Sequence, residues 1–427
     1  MKLTIKTYLS LLLLFLLIGC ARNSDIDPAI NLPPCPGEYS SAAWSSCYGT
    51  VTLLAEDQFN GDKYDGTWLA GKFDGQGTYY YLAENSSKGD KYVGEWKDGQ
   101  FFGLGTYYFL AENEFKGNIY VGEVKGGQPN GQGTYTFGPQ SKLAGDTYIG
   151  EVKNGKPNGQ GVYTFSDGKI YIGMFHDGLK IGQGTLTYEG LSKFAGDVYR
   201  GEVMDGKPNG QGTYTWGPSS KFAGDIYKGE WRSGKKNGYG VYTMANANKY
   251  TGQFQDGKPN GRGTYTYGEL SKFSGDVYKG EFKNGIKDGQ GTYIFGLASK
   301  KIGDNYVGRW KNGKPKGKGT HTFSNGNKYI GEFWAGRKNG LGTYIFGPAS
   351  KFAGDIYVGE VRDERPNGQG TYIFGPKSRY AGDIYIGQWK SGQKNGYGAY
   401  TFSDGRVSEG IWINNILYYN EEPAERY

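Results

Sequence analysis

The chain is 427 residues long, carries a formal net charge of +7 and holds 76 glycines, more than twice the ordinary usage of about 7%. Its 38 Tyr and 22 Phe make it too aromatic for a disordered chain, and its glycine is far from the one-third of collagen. So mild a positive balance is no nucleic-acid footprint, and the composition describes a β-rich chain with many turns.

At the N-terminus, Lys2 and Lys6 precede an apolar run over residues 8–18. That run is too short for a comfortable transmembrane helix and reads as a targeting segment outside the fold. It ends Leu17-Ile18-Gly19-Cys20, which resembles the lipobox of bacterial lipoproteins. The resemblance implies a signal peptide over residues 1–19, cleavage before Cys20, and a diacylglycerol on the Cys20 thiol that anchors the chain to a membrane. The alternative is an ordinary secretory signal with an incidental Cys. Ala21 stands where an Asp would favour inner-membrane retention, which points to the outer membrane, at its periplasmic face or at the cell surface. A tether then runs to residue 34. Cys35 and Cys47, twelve apart in an exported chain, are expected to form a disulfide, with two free thiols as the alternative.

From Tyr64 onward a Tyr-x-Gly phrase recurs thirteen times, the last at Tyr385, at intervals of 28 or 23 residues. From Tyr92 the order 28-28-23 repeats as a block of 79. A fixed period in this range is the signature of a repeat architecture. The two lengths differ only after the second aromatic pair, where the short form reads Ser166-Asp-Gly-Lys-Ile-Tyr171 and the long form inserts five residues, as between Gly217 and Tyr227.

Each copy reads as a β-hairpin. In residues 148–153 (YIGEVK) Tyr148, Gly150 and Val152 alternate onto one face. Residues 154–159 (NGKPNG) are dense in turn formers, and Val162–Phe165 returns with two aromatics on one side. The strand glycine leaves a slot over which a neighbouring ring is expected to lie, so that Gly and Tyr act as one device. Long connections carry an apolar residue five before the next Tyr, such as Phe222, Phe273 and Phe352, expected to fold back and cover the sheet. Cys47–Leu53 aligns with a second strand, so the array opens on a half repeat over residues 35–63, tied back by Cys35. The thirteen full copies occupy 64–406, and 407–427 holds a worn copy and a tail; capped ends are what a solenoid needs.

The phrase Tyr-x-Gly-Glu-(aromatic or Val)-x-x-Gly-x-x-x-Gly-x-Gly-x-Tyr resembles the MORN motif (membrane occupation and recognition nexus) over residues 47–415. The resemblance implies an all-β fold, an elongated single-layer antiparallel sheet of stacked hairpins. The 28-residue copies depart from the family's 23-residue length. Enzymes of the family carry catalysis in a separate domain, and no segment here remains for one.

Chemistry-bearing groups are few. His176 and His321 fall on repeat positions and read as drift. No Cys-His cluster suits a metal and no base accompanies a Ser nucleophile, so no cofactor is expected. Gly313–Thr320 lacks phosphate-loop spacing and sits inside a hairpin. The Glu that follows the strand Gly in eight copies, from Glu95 to Glu360, could form an acidic ladder, but reads rather as a solvated face paired with Lys across strands. Lys156, Lys207, Lys235, Lys236, Lys258, Lys287, Lys314, Lys316, Arg337 and Lys338 are expected along one turn edge. The function expected is a non-catalytic, lipid-anchored scaffold at the bacterial envelope that engages a protein partner. The alternative is a module for anionic lipid or glycan, bound through that basic edge or the aromatic face; nucleic acid is not expected.

Overall fold

The computed structural model describes residues 32–54, 59–190 and 193–420. The segment expected to be a leader, Cys20 and most of the tether lie outside them. Among the described residues there are 29 strands and no helix, the strands pair antiparallel and join as successive hairpins, and one isolated bridge, Pro34 to Tyr48, is parallel. The chain divides into two compact units, one ending at Leu186 and one beginning at Thr187.

The hairpin at Tyr148 stands for the rest. Its opening strand, Thr147–Lys153, pairs with a return strand, Lys156–Thr164. The turn between them is only Asn154-Gly155, both with positive φ (50° and 75°), the two-residue type that matches strand twist. Lys156-Pro157-Asn158-Gly159 is therefore strand and not turn. Gly150 faces Gly161 but Val152 faces Pro157, so the return strand carries a bulge, and Gly159 takes a φ of 75° there. The segment Gly313–Thr320 has the same form, a turn Gly followed by a return strand from Lys314.

The two repeat lengths close on one register. In the short connection Phe165 N–H bonds Lys169 O (2.8 Å), and in the long one Trp216 N–H bonds Asp225 O (3.0 Å). On either side Tyr163 faces Tyr171 and Tyr214 faces Tyr227. The five extra residues form a looped-out turn and leave the strands untouched.

Both ends are capped. Strand Cys47–Thr52 pairs with Lys63–Leu69, placing Gly49 opposite Gly66 as in a full repeat. Cys35 and Cys47 are joined by a disulfide, and Trp44 packs edge-on against Trp68 at 5.0 Å. At the far end Val407–Ile413 adds a strand, and Trp412 donates to Gly398 O (2.9 Å).

Candidate functional site

Strand alternation gives the sheet an aromatic face and a polar face. On the aromatic face the opening tyrosines are buried, twelve of them almost completely. The ring does not lie on a neighbouring hairpin's glycine. It lies over the two paired glycines of its own hairpin: a Cβ on Gly240 would come 2.5 Å from the Tyr227 hydroxyl and 2.6 Å from its Cε2. That hydroxyl donates to Glu230 O (2.9 Å). The next hairpin supplies an edge-on ring, Phe254 at 5.0 Å from Tyr227. Where this ring is Trp it also donates to the preceding hairpin, as Trp231 does to Gly212 O (3.2 Å). Burial pushes the tyrosine hydroxyls well above their ordinary pKa. The rings are engaged in packing.

In most hairpins a buried acid, two residues before the opening Tyr, holds the connection that follows that hairpin, long or short. Asp355 accepts from the Tyr372 hydroxyl (2.5 Å) and from Gly375 N–H (2.7 Å). Asp197 makes the same pair of bonds with Tyr214 and Gly217. Asn118, Asn248 and Asn327 replace it in three copies. Each keeps the bond to the connection N–H, while Tyr135 and Tyr344 donate instead to turn carbonyls of the next hairpin.

The cations expected along the turn edge fall into two groups. Lys156, Lys207, Lys235, Lys258, Lys314, Lys316 and Arg337 are exposed there, but Lys235 and Arg337 pair with Asp256 and Asp363 of the following turns (3.8 and 3.2 Å). Lys236, Lys287 and Lys338 do not line the edge. They stand one residue further, opposite Trp231, Phe282 and Phe333, and point to the aromatic face. Their stems cover rings and their ammonium groups sit 4.1 to 4.6 Å from Tyr242, Tyr293 and Phe323. Lys338 is only 6% exposed. Burial lowers all three pKa values, Lys236 and Lys287 to about 8.

Among the described residues the Glu that follows the strand Gly in eight hairpins forms no ion pair with Lys. Glu151 accepts Gln160 N–H (3.1 Å), and Glu202 and Glu360 do the same for Gln211 and Gln369 (3.0 Å each). The carboxylate satisfies the donor that the bulge leaves unpaired.

The apolar residues of the long connections do not cover the sheet. Phe222, Phe273, Phe352 and Tyr380 reach the ring at the end of the return strand, 5.4 to 6.1 Å away, yet stay 42–44% exposed. Lys221, Lys272, Lys351 and Arg379 lie over them at 4.6 to 5.0 Å. A ring-and-cation knuckle therefore recurs on the connection edge. The short connections lack the insert and its ring; there a cation lies over the return-strand ring itself, Lys169 over Phe165 and Arg406 over Phe402 (3.8 and 4.9 Å).

The polar face is open. In the second unit it holds a trough of about 630 Å³, floored by glycines and lined by Thr264, Lys279, Thr292, Arg262 and Gln290. In the first unit a smaller recess of about 420 Å³ is lined by Glu123, Gln132 and Glu151. Among the described residues no group of His, Cys, Asp and Glu is arranged to hold a metal.

The MORN repeat family matches thirteen times, from 64–81 through 385–405, each match starting on an opening tyrosine. The chain is a MORN-repeat protein. No curated protein matches it significantly. Among solved structures, it is similar to the TCP domain of Drosophila melanogaster SAS-4 in complex with a proline-rich motif of Ana2, at 13% identity, covering 40% of this chain and 83% of that one, with a TM-score of 0.24. A streptogramin B lyase follows at 12% identity, covering 67% and 83%, with a TM-score of 0.12.

One MORN hairpin keeps the buried acid but pairs it with a histidine. His321 takes the tyrosine's place, its Nε2 2.9 Å from the Asp304 carboxylate, both buried. Burial lowers its pKa, as do Lys338 and Lys301 nearby, while Asp304 opposes them. The folded state therefore disfavours a proton that the unfolded chain binds near about pH 6.5. The contribution of His321 is full above that pH and declines as pH falls through it. His321→Tyr is expected to flatten the loss of urea-denaturation midpoint between neutral and mildly acidic pH; an unchanged slope would show that His321 does not titrate on unfolding.

Proposed function

We propose that this MORN array is a non-catalytic scaffold, held at the bacterial envelope by a lipid on Cys20 and presenting its connection edge to a protein partner. The observation that carries the reading is the recurring knuckle, a half-exposed ring beneath a cation, as at Lys221–Phe222 and Lys272–Phe273. Aromatic side chains are enriched in protein interfaces, and the repetition of an exposed ring along one edge offers multivalent contact. The basic turn edge supports a lipid-binding reading less well, because ion pairs engage Lys235 and Arg337 and Lys316 lies over Trp334.

The test is capture from native membranes by the mature chain, compared with the triple variant Phe222→Ser, Phe273→Ser, Phe352→Ser. A defined partner is expected to be retained by the parent and lost by the variant at equal thermal stability. Equal capture by both would refute the edge as the contact. Cys20→Ser is expected to abolish lipid mass and membrane partitioning, and an unchanged membrane fraction would refute the anchor.

A further inference from the structure

The polar face of the second unit carries charge that hairpin construction does not require. At the positions flanking the paired glycines stand Arg200, Lys228, Arg262, Lys279, Arg309 and Lys318, all exposed. In the first unit those positions hold no cation, and from Ile330 to Ala399 they again hold none. The basic segment is bounded on both sides.

These six cations are unengaged. The ion pairs of the second unit use Lys235, Lys311, Arg337, Arg406 and His321, and none of the six takes part in one among the described residues. The neighbouring carboxylates are held by the backbone: Glu202, Glu230, Glu281 and Glu332 each accept a return-strand N–H, although Glu281, opposite Arg262, also lines the trough. The trough lies in the middle of this segment. Its lining runs from Tyr239 to Val307, six successive strands, or about 24 Å at the usual strand spacing. Gly263 faces Gly280 and Gly280 faces Gly291 along its floor. Arg262, Glu281 and Gln290 stand on one side, and Thr264, Lys279 and Thr292 on the other.

We propose that this trough binds an extended acidic polysaccharide, a chain of sugar rings bearing uronate carboxylates, laid across the strands. Bare glycine backbone lets a ring settle close to the sheet. The flanking hydroxyls and amide offer donors and acceptors to sugar hydroxyls, and the free cations meet the carboxylates with charge-assisted hydrogen bonds. Hairpins advance by about 10 Å, the order of a disaccharide's length, so the trough spans several sugar units. Other occupants fit less well. A bilayer surface is too broad to enter a recess, and a peptide strand needs an unpaired sheet edge, whereas these strands are paired on both sides. Single-stranded nucleic acid needs stacking platforms, and Tyr239 is the one aromatic in the lining.

The site is separate from the connection edge, so either reading can fail alone. The probe is an oligomannuronate hexasaccharide, titrated calorimetrically into the mature chain. Saturable binding that weakens with salt is expected. Arg262→Gln with Lys279→Gln is expected to weaken it about tenfold or more, while Lys156→Gln with Lys207→Gln on the turn edge leaves it unchanged. Should the double variant unfold, single variants give the same answer, Lys279→Arg retaining affinity and Lys279→Glu losing it. Undiminished binding by the trough variants overturns the proposal. It is also overturned if polyglutamate or anionic lipid vesicles bind with equal affinity and are lost by the same substitutions.

Discussion

Tyr227→Ala is expected to destabilise its part of the second unit by about 3–5 kcal/mol, the usual cost of removing a fully buried aromatic side chain. The ring fills the space over its own glycines and meets Phe254 and Trp231 edge-on. Tyr227→Phe keeps the ring and removes only the bond to Glu230 O, so about 0.5–1.5 kcal/mol is expected. Gly240→Ala tests the same contact from the other side. Its Cβ would meet the tyrosine ring at 2.6 Å, and overpacking of that kind costs about 1–3 kcal/mol. Because the two changes concern one space, the double variant is expected to lose clearly less than the sum. Additive losses would mean that the ring does not rest on Gly240. Hydrogen exchange of the strands is the suitable readout, since a repeat array need not unfold in one step.

Asp355→Ala is the second large effect, at about 2–4 kcal/mol, because it leaves a buried and a half-buried donor without an acceptor. These are the Tyr372 hydroxyl and Gly375 N–H. Asp355→Asn is expected to be far milder. The array already contains that change at Asn118 and Asn327, where the connection N–H stays satisfied and the tyrosine turns to a neighbouring carbonyl. Urea midpoints of the two variants decide the point, and equal losses would overturn the assigned role. The carboxylate is thus replaceable as a charge and needed as an acceptor.

Much of the architecture was legible because the hairpin is local. Tyr, Gly and Val alternate in residues 148–152 with a period that permits only one face, and Cys47–Leu53 could be aligned as a half repeat on spacing alone. The parts that escaped depend on register across strands. Lys156-Pro157-Asn158-Gly159 has turn composition, yet Asn154-Gly155 already makes the turn, so the later Gly is free to serve a bulge. The bulge then decides what Glu151 does, which strand alternation alone does not reveal. Lys236 looked like its neighbour Lys235, but it occupies the place held by Pro157 and Phe73 in other hairpins. An exchange of Lys, Pro and Phe at one position is the signal that a side chain packs over rings. The acid of Gly-Asp-x-Tyr was equally visible, recurring two residues before the opening tyrosine, and its regularity is the mark of a buried acceptor.

The connection that closes on one register at either length has a consequence for how such a chain changes size. Since the opening tyrosine locks onto glycines of its own hairpin, each unit carries its instructions within itself, and the strand pair on either side of a connection is the same after Phe165 as after Trp216. A seam made by duplicating or losing one 79-residue block joins like to like. Array length can therefore drift by whole units with no core to redesign, while loops of different size are traded at the margin for little free energy.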